Sequence, residues 1–365
     1  MANFLDYIAW RGDLSFGASP FSEVDNLIFS MLSFIDFENI VPEEAHGEPV
    51  KLSECLPRHK RLYPDGQYFG KIFPDEMKDL FPRAAKSSRF GNVGVTFYRS
   101  TTSSETCTQF AAVTFVLPDG TLFVAFRGTD DTLIGWREDF NLSYMHPVAG
   151  QTMAVEYLCE IAAAHPGKIR TGGHSKGGHL AVYSAVFSPE SVRERIIRAY
   201  SNDGPGFVRE VIESAEFAEM KDRICSFVPQ ASVIGMLLKH PNNYTVVHST
   251  HPNKNGLLQH DPFSWSVIGP RFIHLRRLAK EGRQNDMVID RWLDGVSDEE
   301  RRRITELLFG IIDAAGAKTL SDFSVDRVSK IITIIRAFNG LERESKEEMI
   351  SIVKRFAAAG KKPKN

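Results

Sequence analysis

Residues 171–181 read TGGHSKGGHLA, and the reading of the whole chain depends on what Ser175 does between those glycines. The residues before it, KIRTGG (168–173), are short and extended in character. The residues after it, KGGHLAVYSAVF (176–187), place Leu180, Tyr183 and Phe187 at helical spacing. A strand, a sharp turn and a helix are therefore predicted in that order. Gly173-His174-Ser175-Lys176-Gly177 fits G-x-S-x-G, the nucleophile elbow, in which strand and helix press so closely that a Cβ at either glycine clashes. Such a turn holds the serine hydroxyl at a helix N-terminus, where free N–H groups face a developing oxyanion. The bland alternative is a glycine-rich turn with an idle serine, and the flanking strand and helix argue for the nucleophile. A phosphate loop is excluded because no G-K-[ST] follows the glycines.

Around the elbow the pattern alternates. VGVTFYRS (93–100), TQFAAVTFVL (108–117) and TLFVAFRG (121–128) are rich in β-formers, and the turn at Pro118–Gly120 predicts a hairpin between the last two. QTMAVEYLCEIAAAH (151–165) repeats apolar residues at Ala154, Leu158, Ile161 and Ala162, an amphipathic helix. After the elbow helix come strand IIRAYSN, helix VREVIESAEFAEM (208–220), strand ICSFV and strand YTVVHS. Alternation of this kind predicts an α/β fold with a mostly parallel central sheet flanked by helices. Residues 1–90 read as an N-terminal helical and irregular wrap. Within it a capping box from Ser22 to Asp25 opens a helix that buries Leu27, Ile28, Met31, Leu32 and Ile35. Residues 285–365 read as a C-terminal helical appendage of serine-started segments, with Ser297–Glu300 and Ser345–Glu348 as capping boxes. The core domain is then expected over 91–284.

Composition narrows the function. The 365 residues are 42% hydrophobic and carry 44 basic against 46 acidic side chains, a net charge of −2. That balance gives no bulk attraction to nucleic acid or anionic membranes. Cys55, Cys107, Cys159 and Cys225 lie far apart, without metal spacing, and read as isolated thiols. The start lacks a basic-then-apolar leader, and no apolar run is long enough to span a bilayer. A soluble, cytoplasmic protein without metal or cofactor is expected. The closing KKPKN reads as a frayed terminus.

Serine chemistry needs an oxyanion site, a base and an acid. VAFRGTDDTLIGWREDF (124–140) runs past a strand end upstream of the elbow, where the second half of an oxyanion hole belongs, and Thr129 offers both an N–H and a hydroxyl. Arg127 is expected to pair with Asp139 or another carboxylate, and Trp136 to serve in packing. The order Ser, acid, His leaves His251 and His260 in the loop after the last predicted strand as candidate bases. His179 lies one turn into the elbow helix and is expected to point away from the hydroxyl. Asp203 ends the strand after the elbow helix, at the edge where open α/β sheets bind ligands, and is the candidate acid. Its competing role is a helix cap, and Asp261 stands in reserve.

GHSKGG together with FRGT, Trp136 and the downstream aspartate resembles the class 3 lipase group of α/β-hydrolases. YIAWRGDLSF, FSEVDNL, GHSKGGHLA, NDGPGF and QHDPFSW resemble, more closely, a bacterial lipase-like family of unknown function, over roughly residues 4–268. The resemblance implies an α/β-hydrolase with Ser175 as nucleophile and an oxyanion hole from Thr129 and the Lys176 N–H, and it favours His260 as base. One departure stands out. Class 3 lipases usually carry their acid in a segment resembling SFVPQASVIGML (226–237), which here has no carboxylate and has Ser232 near the expected place. The side chain of Lys176 is expected to pair with Asp130 or Asp131. The expected activity is hydrolysis of a small acyl ester by Ser175, His260 and Asp203. The alternatives are a catalytically silent hydrolase-fold scaffold and a protein that binds a partner through its C-terminal helices.

Overall fold

The computed structural model describes residues 1–64, 74–240, 244–314, 316–319, 322 and 327–359. Its strands are β1 Val50–Lys51, β2 Gly94–Ser103, β3 Thr108–Val116, β4 Leu122–Phe126, β5 Ile169–His174, β6 Ile196–Asn202, β7 Ile224–Pro229, β8 Tyr244–Val247, β9 Val267–Ile268, β10 Arg271–Phe272 and β11 His274–Leu275. The helices are α1 Phe4–Arg11, α2 Glu23–Leu32, α3 Leu52–Leu62, α4 Pro74–Lys86, α5 Leu133–Asn141, α6 Ala149–Ala164, α7 Lys176–Phe187, α8 Glu190–Arg193, α9 Arg209–Ile212 and α10 Ala215–Met220, followed by α11 Lys280–Asp294, α12 Asp298–Ala314, α13 Arg327–Gly340 and α14 Arg343–Ala359.

The main sheet has the order β1-β2-β3-β4-β5-β6-β7-β8-β11, and β9 and β10 form a separate hairpin. Pairing is parallel only from β4 to β8; β1 to β4 and β8 to β11 pair antiparallel. The sheet is thus mixed, and parallel only at its centre. The predicted hairpin forms at Pro118–Gly120, with Val116 opposite Leu122 and Gly120 at φ +76°.

Alternation along the strands sends side chains to two cores. Val113, Phe115, Phe123 and Ala125 pack with the N-terminal helices, whereas Phe110, Ala112, Val124 and Phe126 pack with α6 and α7. The N-terminal segment therefore supplies most of one layer, joined by Phe263, Trp265, Val267 and Phe272. Helix α2 is buried on every side from Val24 to Leu32, more fully than a one-sided stripe predicts. Its capping box forms as expected, Ser22 N–H donating to Asp25 Oδ2 at 2.8 Å. Asp25 also takes a bidentate pair from Arg89, Nε at 2.7 Å and Nη2 at 2.6 Å, with both side chains fully buried.

Three local expectations change. The helix read over 208–220 is two, α9 and α10, because Ser214 breaks it and caps the second by accepting from the Phe217 N–H. Helix α14 starts at Arg343, so Ser345 and Glu348 do not cap it; both face Arg303 of α12. His248 lies just outside β8 and bonds Ser266 Oγ at 2.9 Å. The capping box at Ser297 and Glu300 does form. The closing KKPKN lies outside the described residues. No helix among the described residues is long and apolar enough to cross a membrane.

Candidate active site

Ser175 sits at φ +58°, ψ −134°, between β5 and α7. A Cβ on Gly173 would lie 2.2 Å from the Gly177 carbonyl carbon, and one on Gly177 would lie 2.1 Å from Phe126 O. Any side chain at either position collides with backbone, which is why the turn needs both glycines. The turn is also held from below. Ser175 N–H donates to Asn202 O at 3.0 Å, and Asn202 Nδ2 donates to Gly173 O at 3.0 Å. Asn26 Nδ2 of α2 donates to Asn202 Oδ1 at 2.8 Å, joining the N-terminal layer to the elbow.

Asp203 follows β6 with φ +52° and is fully buried. Its Oδ2 accepts from His260 Nδ1 at 2.7 Å, and its Oδ1 accepts from Ser232 Oγ at 2.6 Å. The segment that lacks a carboxylate thus supports the aspartate through a hydroxyl. His260 is carried by a short loop pinned by its neighbour: Gln259 Oε1 accepts from Ala231 N–H at 2.8 Å, and Gln259 O accepts from Trp265 Nε1 at 2.9 Å. His174 Nε2 bonds His260 O at 2.8 Å, and the two rings lie 4.4 Å apart. Burial, and then the neighbouring His260, hold His174 well below the ordinary histidine range, so it is neutral at pH 7. His251 pairs instead with Asp261 at 3.6 Å. His179 does point away, bonding Gln151 and Gly206 O.

Ser175 and His260 line one cavity of about 390 Å³ with Thr129, Trp136 and Asp139. The Ser175 hydroxyl makes no hydrogen bond among the described residues; such contacts are often loose before substrate binds. Chemically, this is an imidazole oriented by a carboxylate beside a hydroxyl on a helix N-terminus, a set able to perform nucleophilic acyl transfer.

In the turn after β4, Arg127 pairs with a carboxylate as expected, Asp130 at 3.7 Å rather than Asp139, and Asp139 accepts the Thr129 hydroxyl at 2.5 Å. Lys176 passes by Asp130 and Asp131 and is buried against Glu138 at 2.8 Å, with Gln109 O at 2.7 Å and Gln109 Oε1 at 2.9 Å. Asp130 Oδ1 is occupied by Thr132, whose N–H and hydroxyl donate to it at 2.9 and 2.6 Å, while Thr132 Oγ1 caps α5 by accepting from the Gly135 N–H at 3.3 Å. Trp136 lines the cavity and is only partly buried, so it is a wall of the site as well as packing. Glu138 and Asp139 are the functional candidates that reading the sequence missed. The usable signal was the three-residue step from Trp136 to Asp139, which puts both on one face of α5.

Burial raises the Asp139 carboxyl to about 6, against the opposing influence of Lys176 and Thr129, and its Oδ1 has no hydrogen-bond partner among the described residues. Its folded pKa lies above the ordinary carboxylate value, so the native state holds the proton more tightly than the unfolded state does. Stability is therefore lost as pH rises through the window from 3.8 to about 6. Asp139→Asn escapes that loss. Its stability relative to the wild type should improve by about 1–3 kcal/mol between about pH 4 and pH 7 in urea titrations. A difference that stays flat with pH would contradict the assignment.

One C-terminal helix, α11, belongs to the wall of the site, and α12 packs behind that wall. Ile289, Trp292 and Leu293 of α11 line the cavity. Phe309 of α12 packs on Phe140 with ring centroids 5.6 Å apart, and Leu133 N–H at the start of α5 donates to Lys318 O at 2.9 Å.

No curated protein matches the chain. Among solved structures, the lipase–propeptide complex of Rhizomucor miehei aligns with 14% identity and TM-score 0.33, covering 49% of this chain and 70% of that one. M37 lipase aligns with 14% identity and TM-score 0.35, covering 59% of this chain and 70% of that one. The Mbeg1-like family profile matches residues 84–310, more than half of the sequence, and the chain belongs to the Mbeg1-like family.

Proposed function

We propose that the chain is a serine hydrolase of the α/β-hydrolase type that cleaves carboxylic esters. The observation that carries this reading is the Asp203–His260 bond of 2.7 Å, made by a histidine that shares its cavity with the strained Ser175. In the proposed reaction Ser175 Oγ attacks the ester carbonyl and His260 Nε2 takes its proton. Asp203 holds the Nδ1–H tautomer and stabilises the imidazolium. The oxyanion is received by the N–H groups of Thr129 and Lys176; the second belongs to the first turn of α7, where N–H groups have no helical partner. Collapse expels the alcohol, which takes the proton from His260, and water then releases the acid by the same steps in reverse.

The test is labelling with a fluorophosphonate probe, read by intact mass and peptide mapping. One adduct on Ser175, absent in Ser175→Ala, is expected. Folded wild-type protein that forms no adduct would favour the scaffold alternative, whose sequence argument is the missing carboxylate in 226–237.

A further inference from the structure

The cavity beside Ser175 has a wall that the serine chemistry does not require. Ile289, Trp292 and Leu293 face it from α11, and α11 is firmly anchored. Lys239 Nζ reaches Asp290 at 2.9 Å and Asp294 at 3.2 Å, and Ala279 N–H, at the helix start, donates to Gln230 O at 2.7 Å. Ile289 and Leu293 share one buried cluster with Leu238, Val228 and Met236. An element held this way is a fixed stop rather than a flap.

On the other side of that stop lies a second cavity of about 440 Å³ whose lining includes Arg209, Lys239, Asp294 and Arg301. Ser143, Leu238 and Leu293 line both cavities and so form the partition between an apolar chamber and a charged one. Leu238 is held at φ +65°, a left-handed backbone that a bulky residue adopts only when its surroundings impose it. The flanking residues impose it here: Gly206 N–H donates to Leu237 O at 2.7 Å, and Lys239 bridges to Phe207. Among the described residues lining the apolar chamber, the ionisable side chains are Asp139, His174, Lys176 and His260, and Lys176 is already paired with Glu138. A hydrocarbon chain gains by entering the first chamber, and crossing into the second would strip water from charged groups without replacing it.

We propose that α11 is the acyl-length gauge of this enzyme. The apolar chamber takes an uncharged hydrocarbon acyl chain, and Leu293 with Leu238 sets where that chain must end. The proposal rests on the hydrolase reading above and adds the element that fixes substrate length.

The experiment is a series of alkyl fluorophosphonates and p-nitrophenyl esters of increasing chain length, on wild type, Leu293→Ala and Leu293→Phe. In the wild type, labelling rate and kcat/KM should rise about fourfold per added methylene and then fall beyond one length. Leu293→Ala should move that optimum to longer chains, and Leu293→Phe to shorter ones, each changing the long-to-short ratio about tenfold. Opposite shifts separate a gauge from general loosening, which lowers every length alike. Where a Leu293 variant melts below the assay temperature, Ile289→Ala and Ile289→Phe on the same helix carry the same two shifts. Labelling at Ser175 with no dependence on chain length, or with an optimum unmoved by both substitutions, overturns the gauge and leaves the hydrolase reading standing. No labelling at Ser175 at any length overturns both.

Discussion

Ser175→Ala and His260→Ala should each lower ester turnover by about 10⁶-fold, and the double variant should fall no further. In the proposed reaction the two residues act as one unit: without the imidazole the hydroxyl is a poor nucleophile, and without the hydroxyl the imidazole has no proton to take. Asp203→Asn should cost about 10⁴-fold. The structure gives the reason, because Asp203 is fully buried and accepts His260 Nδ1 at 2.7 Å. An asparagine there can turn its NH₂ toward the ring and select the wrong tautomer. Ser232→Ala should be milder, about tenfold, since it removes a hydrogen bond to the acid and leaves the acid in place. Single-turnover kinetics on these variants check the order of effects. Additive losses for Ser175 and His260 would mean that they do not share one reaction step.

Lys176→Met should destabilise the fold by about 3–5 kcal/mol, because it leaves Glu138 as an uncompensated buried carboxylate. Glu138 Oε2 accepts from Lys176 at 2.8 Å and from Gln109 N–H at 3.1 Å, and its Oε1 accepts from Gly150 N–H at 2.9 Å. Lys176 Nζ in turn serves two acceptors on Gln109. Both side chains are 1% exposed, so water cannot replace a lost partner. The double variant Lys176→Met with Glu138→Gln removes both charges while keeping an amide oxygen for one of the N–H donors. It should recover at least about 2 kcal/mol of the summed single losses in a urea-denaturation double-mutant cycle. Additive single effects would sink the coupling. The network ties β3, α5 and the start of α6 to Lys176, the residue after Ser175.

Much of the site was legible from local constraint. Ser175 could be read because Gly173 and Gly177 are needed to let backbone pass backbone, a requirement that writes itself into five consecutive residues. Asp203 could be read because it terminates a strand pattern and is followed by Gly204 and Pro205. His260 needed more, since the loop offered His251 as well, and the structure separates them by partner: Asp261 for one and Asp203 for the other. The break between α9 and α10 was illegible because Ser214 is compatible with either a helix interior or a cap, and only the packing of Val211 and Phe217 selects the cap.

By itself the sequence determined the α/β class, the elbow, the hairpin at Pro118–Gly120 and the candidate trio of serine, aspartate and histidine. Each of these depends on backbone conformation or on periodicity within a few residues, except the preference for His260 over His251, which came from the family resemblance and its place after the last strand. Tertiary structure alone decided that Lys176 goes to Glu138, that Asp139 takes the Thr129 hydroxyl, and that α11 closes the cavity with Leu293. Two of those choices join residues far apart in the chain, Lys176 lying 38 positions from Glu138 and Leu293 more than a hundred from Ser175. The physical reason is that a buried charge takes whichever counter-charge folding brings within reach, and an apolar wall takes whichever helix covers it, and neither leaves a local pattern to read.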